Sequence, residues 1–67
     1  MNLIVLEDRD FINPTQVQLT GRRHTHLTTV LNVQAGMRLC VGKLNGYQGL
    51  ADVESVTATS VILNIGP

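Results

Sequence analysis

The sequence predicts an all-β domain, a small β-barrel of about five short strands with one short helix, occupying residues 1–67 as a single domain. Two observations predict this fold. Short apolar or alternating segments recur along the chain, and Gly, Pro and Asn turn signals separate them. Only one segment has the i, i+3, i+4 spacing of a helix. Closing the sheet into a barrel would remove the exposed edges of so few strands.

Two strands are predicted before the helix. Leu3–Leu6 is apolar, and the charged segment Glu7–Asp10 follows it, which predicts a buried first strand. Asn13-Pro14 marks a turn. Apolar and polar residues alternate over residues 16–20, so we predict a half-buried strand that runs directly into the helix at Gly21.

The helix is predicted to begin after the N-cap residue Thr20 and to end near Asn32. Its apolar residues have helical spacing and are expected to face the core. They are Leu27, Val30 and Leu31. The opposite, polar face is predicted to carry Arg22, Thr25, His26 and Thr29.

Three further strands are predicted in the second half of the chain, at residues 37–41, 47–56 and 61–65. A two-residue turn at Asn45-Gly46 would pair Leu39 with Asp52. The strands at residues 37–41 and 47–56 would then each mix core-facing and solvent-facing residues on one side of the sheet, which is unfavourable for a half-buried pair of strands. A three-residue loop would instead pair Leu39 with Ala51 and Arg38 with Asp52. We predict this second register, because apolar residues then face each other and opposite charges meet.

Composition limits the functions open to this domain. It has no net charge and a pI near 6.7, whereas a free-standing RNA-binding domain usually has a pI above about 9. Phe11 and Tyr47 are its only aromatic residues, too few for a base-stacking platform. Any contact with nucleic acid is therefore expected to involve backbone and shape, with help from another domain or subunit.

Several site classes have little support in the sequence. A single cysteine, Cys40, cannot form an internal disulfide, which indicates a reducing compartment, and we expect Cys40 to be a small core residue. His24, His26 and Cys40 lack the paired spacing of a zinc site. Leu3–Leu6 is too short for a signal peptide or a membrane span, so we expect a cytoplasmic protein without membrane contact. No catalytic, cofactor-binding or metal-binding residues are predicted.

The most informative segment is residues 22–26, which contains two arginines and two histidines. The predicted helix begins here, and the partial positive charge of a helix N-terminus disfavours cations by about 0.3–1 kcal/mol each unless an anion joins them. With an anion present, backbone N–H groups and two guanidinium groups would all face it, as in proteins that bind phosphate. The segment therefore predicts a contact with a nucleic-acid backbone.

The predicted RNA-binding residues are Arg22, Arg23, His26 and Lys43. Arg22 lies on the polar face and is the first candidate for a phosphate contact; the alternative is an ordinary solvated surface arginine. Arg23 points partly toward the apolar side, so it is predicted either to touch RNA or to reach Asp8 or Asp10. His26 either donates to a phosphate or makes a structural hydrogen bond.

The remaining polar candidates have more ordinary interpretations. His24 is expected to be either structural or inert. Lys43 and Asn45 flank the hairpin tip, where recognition contacts are common, although the turn itself also requires Asn45-Gly46. Asp52 and Glu54 alternate on the polar face of a predicted strand, which indicates a solvated face and not an acid/base pair.

Several segments occur together in one known family. In chain order they are Leu19-Thr20-Gly21-Arg22-Arg23, His26-Leu27, Val30-Leu31, Gly36-Met37-Arg38-Leu39, Val41-Gly42, Asn45-Gly46 and Gly49. With the opening Asn2–Glu7, they resemble the N-terminal domain of the RsmE family, the small-subunit ribosomal RNA uracil-N3 methyltransferases. The resemblance spans Asn2 to about Ile65. Family members usually carry a basic residue where this chain has Asn32.

The resemblance implies a PUA-like β-barrel that positions ribosomal RNA of the small subunit, mainly through the phosphate backbone. It also implies a homodimeric parent protein that methylates this RNA with S-adenosylmethionine, bound in a C-terminal SPOUT domain absent from this chain. The chain alone is then expected to bind no cofactor and to catalyse no reaction. Its expected partners are ribosomal RNA and its own SPOUT domain.

A second hypothesis is a protein-interaction or structural β-barrel without RNA binding. Its helix would dock onto a partner domain, and its arginines would pair with carboxylates. The first hypothesis predicts weak, salt-sensitive RNA binding through Arg22 and Arg23. The second predicts none.

Overall fold

The computed structural model describes residues 3–43, 46 and 48–65. Within these ranges the strands are β1 (Leu3–Leu6), β2 (Phe11–Asn13), β3 (Gln16–Thr20), β4 (Arg38–Lys43), β5 (Gln48–Val56) and β6 (Ser60–Ile65). They form one sheet in the order β1-β4-β5-β6-β3-β2. The prediction of a mainly β domain with one short helix is confirmed, and the sheet forms a half-barrel.

The register between β4 and β5 is the one that the charge and apolar pattern predicts. Arg38 lies opposite Asp52, and Leu39 lies opposite Ala51. The Nε atom of Arg38 donates to Oδ1 of Asp52 at 3.0 Å, so the predicted charge pair forms. The hairpin tip, including Asn45, lies outside the described residues.

The prediction of about five strands missed β2. The preceding charged segment contains a 3-10 turn, Asp8–Asp10, in which the side chain of Asp10 accepts from the backbone N–H of Glu7 at 2.8 Å. This turn directs the chain into β2, which pairs antiparallel with β3, Phe11 lying opposite Val17. Three residues are too few for alternation to predict a strand.

The core consists of apolar side chains from β1, β3, β4, β5, β6, the helical segment and the loop that follows it. Those buried among the described residues are Leu6, Val17, Leu19, Leu27, Val33, Val41, Ala51, Val53, Val61 and Leu63. The prediction that β1 is a buried strand is wrong in part, because Leu3 and Val5 are each 47% exposed. β1 is an edge strand that pairs with β4 alone, in parallel, and only alternate residues face the core.

The helical segment has two parts. Helix α1 (Gly21–Thr25) continues as a π-helical turn, His26–Val30, in which the N–H of Leu31 donates to the carbonyl of His26 at 3.2 Å. Thr20 occupies the predicted N-cap position, but its side chain makes no capping hydrogen bond. The end near Asn32 is confirmed, since Asn32 has a φ of 54°, the left-handed conformation that commonly follows a helix.

The π-helical turn changes which residues face the core. Leu27 is buried and Leu31 is partly buried, as predicted, but Val30 is 65% exposed. Val33 enters the core in its place. The prediction for Val30 is wrong because it assumed regular α-helical spacing, whereas hydrogen bonds from i to i+5 space the residues of this turn differently.

Cys40 does not belong to the core. It is half-buried, and because its neighbours Leu39 and Val41 pack toward the core, alternation along β4 places Cys40 on the other face of the sheet. None of the helical segments in the described ranges has the length and apolar character that a membrane crossing requires.

Candidate nucleic-acid interface

Three of the four predicted RNA-binding residues line one groove. This helix groove has a volume of about 370 Å³ and lies between β1, the end of β3 and the helical segment. Its apolar lining residues are Leu3, Ile4, Val5, Leu19 and Leu27. Its polar lining residues are Arg22, Arg23 and His26. Arg22 and His26 are four residues apart on the helix, so both reach the same groove.

Arg22 differs from the other cations of the chain. The ion pairs among the described residues are Arg9 with Glu7, Arg23 with Asp10, Arg38 with Asp52 and Lys43 with Asp8. Arg22 is exposed, and its side chain forms no ion pair and no hydrogen bond with another described residue. Its positive charge is therefore uncompensated within that part of the domain.

Arg23 is held by the fold. Its Nη1 atom donates to Oδ1 of Asp10 at 2.7 Å, and its Nη2 atom donates to the carbonyl oxygen of Val5 at 2.5 Å. Asp10 is only 8% exposed, so the pair is partly shielded from water. Of the two roles that the sequence left open, the structure shows the carboxylate contact, with Asp10 as the partner. A contact between Arg23 and RNA stays a prediction.

The two histidines have different surroundings. The Nε2–H of His24 donates to the carbonyl oxygen of Thr57 at 2.8 Å, which confirms the structural role predicted for His24. His26 is exposed, and within the described ranges its ring makes no hydrogen bond. The ring of His26 can therefore donate to a ligand in the helix groove.

Lys43 lies apart from the helix groove. Its Nζ atom contacts Oδ1 of Asp8 at 2.5 Å and lies 5.5 Å from the centre of the Phe11 ring, a cation–π distance. Lys43 does not line the groove that Arg22, Arg23 and His26 share. Its contact with RNA stays a prediction.

A second, polar pocket is also lined by Arg23. This β2–β3 pocket has a volume of about 450 Å³. The residues that line it are Arg9, Asp10, Ile12, Gln18, Thr20 and Arg23. Sequence reasoning missed the pocket, because it depends on the pairing of the unpredicted strand β2 with β3.

The remaining acidic residues take part in sheet contacts. Asp52 and Glu54 are both exposed, as predicted, and Oε1 of Glu54 accepts hydrogen bonds from Gln16 at 3.0 Å and from Asn64 at 3.1 Å. In the part of the chain that the structure describes, no three His, Cys, Asp or Glu residues are grouped so that they could hold a metal ion.

Comparisons with known proteins identify the fold. No protein-family profile and no curated protein matches the chain. A solved structure that is described only as a hypothetical protein has 20% sequence identity over 97% of this chain, with a TM-score of 0.70. The chain spans 27% of the length of that protein. The same small β-barrel-like fold therefore occurs within a longer chain.

Proposed function

We propose that this domain binds RNA by its phosphate backbone and positions small-subunit ribosomal RNA for a uracil-N3 methyltransferase of the RsmE family. The parent protein is then a homodimer that binds S-adenosylmethionine in a SPOUT domain outside this chain. The observation that carries RNA binding is the uncompensated charge of Arg22 beside a groove that also holds Arg23 and His26.

The charge distribution explains how a domain without net charge can attract a polyanion. Within the described ranges, the ion pairs use four of the five cations and four of the five anions, and they leave Arg22 and Glu54. Glu54 lies on β5 and is bonded to two side-chain amides. Positive charge is therefore concentrated at the start of α1, where a phosphate would relieve the unfavourable placement of Arg22 at a helix N-terminus.

Arg23 and His26 have supporting roles in this proposal. The bonds from Arg23 to Asp10 and Val5 fix the start of the helix against the 3-10 turn and β1. This fixed backbone limits the freedom that Arg22 loses on binding. His26 provides a further donor one turn along the helix.

Two findings support the assignment to the RsmE family. The ordered segments from Leu19 to Gly49 resemble the N-terminal domain of that family. The fold also occurs in a longer protein, of which this chain spans 27%. A barrel that forms part of a larger chain fits a module that positions RNA for a catalytic domain.

The test is a titration of the chain with fragments of small-subunit ribosomal RNA at two salt concentrations. We expect weak binding whose affinity falls as salt rises, and Arg22→Ala should lower the affinity and reduce the salt slope by about 1. Arg38→Ala is the matched control, because Arg38 is an exposed arginine that pairs with Asp52.

Circular dichroism should show that both variants remain folded. Equal RNA binding by the Arg22 and Arg38 variants would show that the phosphate site is assigned wrongly. A complete absence of RNA binding by the unmodified chain would instead favour the protein-interaction barrel.

A further inference from the structure

The β2–β3 pocket differs from the helix groove in its charge. Each of its arginines already has an acidic partner, Arg9 pairing with Glu7 at 3.1 Å and Arg23 with Asp10 at 2.7 Å. A phosphate would have to compete with these carboxylates, whereas a neutral group would not. The pocket is thus suited to an uncharged polar ligand.

The lining also provides surfaces for a flat ring. Ile12 is 53% exposed and offers an apolar surface. Arg9 and Arg23 line the same pocket, and planar guanidinium groups can stack on unstacked RNA bases.

Two side chains that line the β2–β3 pocket have unused hydrogen-bonding groups. Gln18 and Thr20 are exposed on β3, and their side chains make no hydrogen bond to another described residue. Gln16, two residues earlier on the same strand, is by contrast fully engaged, since its amide contacts Asn13, Glu54 and Asn64. The amide of Gln18 can donate and accept at once, as the edge of a base requires.

We propose that the β2–β3 pocket holds one unstacked nucleobase of the RNA whose phosphate is bound at Arg22. The proposal rests on the proposed RNA-binding function and extends it from backbone contact to the reading of a single base. Arg23 lines both the pocket and the helix groove, so the two sites adjoin, and the proposal places adjacent parts of one nucleotide in them.

The experiment compares ligands that differ only in the base. Isotope-labelled chain is titrated with ribose 5-phosphate and with the 5′-monophosphates of uridine, cytidine, adenosine and guanosine, and NMR shifts are followed at Arg22, Ile12 and Gln18. We expect at least one nucleotide to bind about tenfold more tightly than ribose 5-phosphate, a gain typical of one well-placed base. The additional shifts should appear at Ile12 and at the side-chain amide of Gln18.

Two variants test the pocket directly. Gln18→Ala should reduce the advantage of the nucleotide over ribose 5-phosphate to less than about threefold, since the edge of the base loses its partner. Gln48→Ala is the matched control, because Gln48 is also an exposed strand glutamine and does not line the pocket. Ile12→Ala should weaken nucleotide binding without changing the binding of ribose 5-phosphate.

The outcomes separate this proposal from the proposed function. If all five ligands bind equally and shift only the Arg22 region, the base pocket is wrong and the phosphate site stands. If the nucleotides bind more tightly but shift residues outside the β2–β3 pocket, the base pocket is also wrong. If no ligand shifts any of the three residues, neither proposal survives.

Discussion

Replacing Arg23 with methionine should destabilise the domain, because it removes the contact that joins α1 to the 3-10 turn. Asp10 would keep its bond from the Glu7 N–H but lose its cation while only 8% exposed. Removing one partner of a fully buried pair costs about 3–5 kcal/mol, and an exposed pair contributes about 0–1 kcal/mol. The side chain of Arg23 is 33% exposed, so water replaces part of the loss, and we expect about 2 kcal/mol.

Urea and thermal denaturation, followed by circular dichroism, measure this effect. A loss of about 2 kcal/mol should lower the Tm of so small a domain by about 8–16 °C. Arg9→Met is the control, because its pair with Glu7 is exposed and the Tm should change little. Adding Asp10→Asn to Arg23→Met should restore part of the stability, since a neutral amide is less costly to leave unpaired. Equal Tm values for the Arg9 and Arg23 variants would refute this account of Arg23.

Three further predictions concern the free energy of unfolding, measured in urea. Leu27→Ala should cost about 2–5 kcal/mol because Leu27 is buried, whereas Val30→Ala should cost less than about 0.5 kcal/mol because Val30 is exposed. Equal costs would show that the π-helical turn does not direct Val30 away from the core. Gly21→Ala should cost about 1–2 kcal/mol. An added Cβ would meet open space, so the cost comes only from the backbone φ of 62°, which is unfavourable for alanine. An unchanged stability would exclude that backbone conformation. Gln16→Ala should cost about 1 kcal/mol through its bonds to Glu54 and Asn64, and no change would show that they contribute nothing.

Alternation and turn residues were enough to predict most of the sheet. The pattern in β3 placed Val17 and Leu19 in the core, and charge matching gave the correct β4–β5 register. The same reasoning failed where local pattern carries no information. β2 is too short to show a period, and the exposure of Val30 depends on a π-helical turn that the sequence does not mark.

The sequence likewise predicted some features of the candidate site and could not predict others. Helical spacing placed Arg22 and His26 on one exposed face, and the structure shows both at one groove. The sequence could not show whether Arg23 contacts RNA or pairs with a carboxylate. Its partner Asp10 lies in the 3-10 turn, whose position depends on the unpredicted strand β2. The pairing of Lys43 with Asp8 likewise depends on the end of β4 lying beside the 3-10 turn.

The parallel pairing of β1 with β4 bears on how the chain folds as it is synthesised. Leu3–Leu6 is synthesised before Arg38–Lys43, so β1 has no neighbouring strand until β4 has also been made. The β4-β5-β6 meander pairs strands that are consecutive in the chain, so it can form early. The pairing of β1 with β4 joins segments far apart in the chain and is expected to form more slowly. During that delay an apolar segment is open to aggregation, and the charges of Glu7–Asp10 directly after it act as gatekeepers.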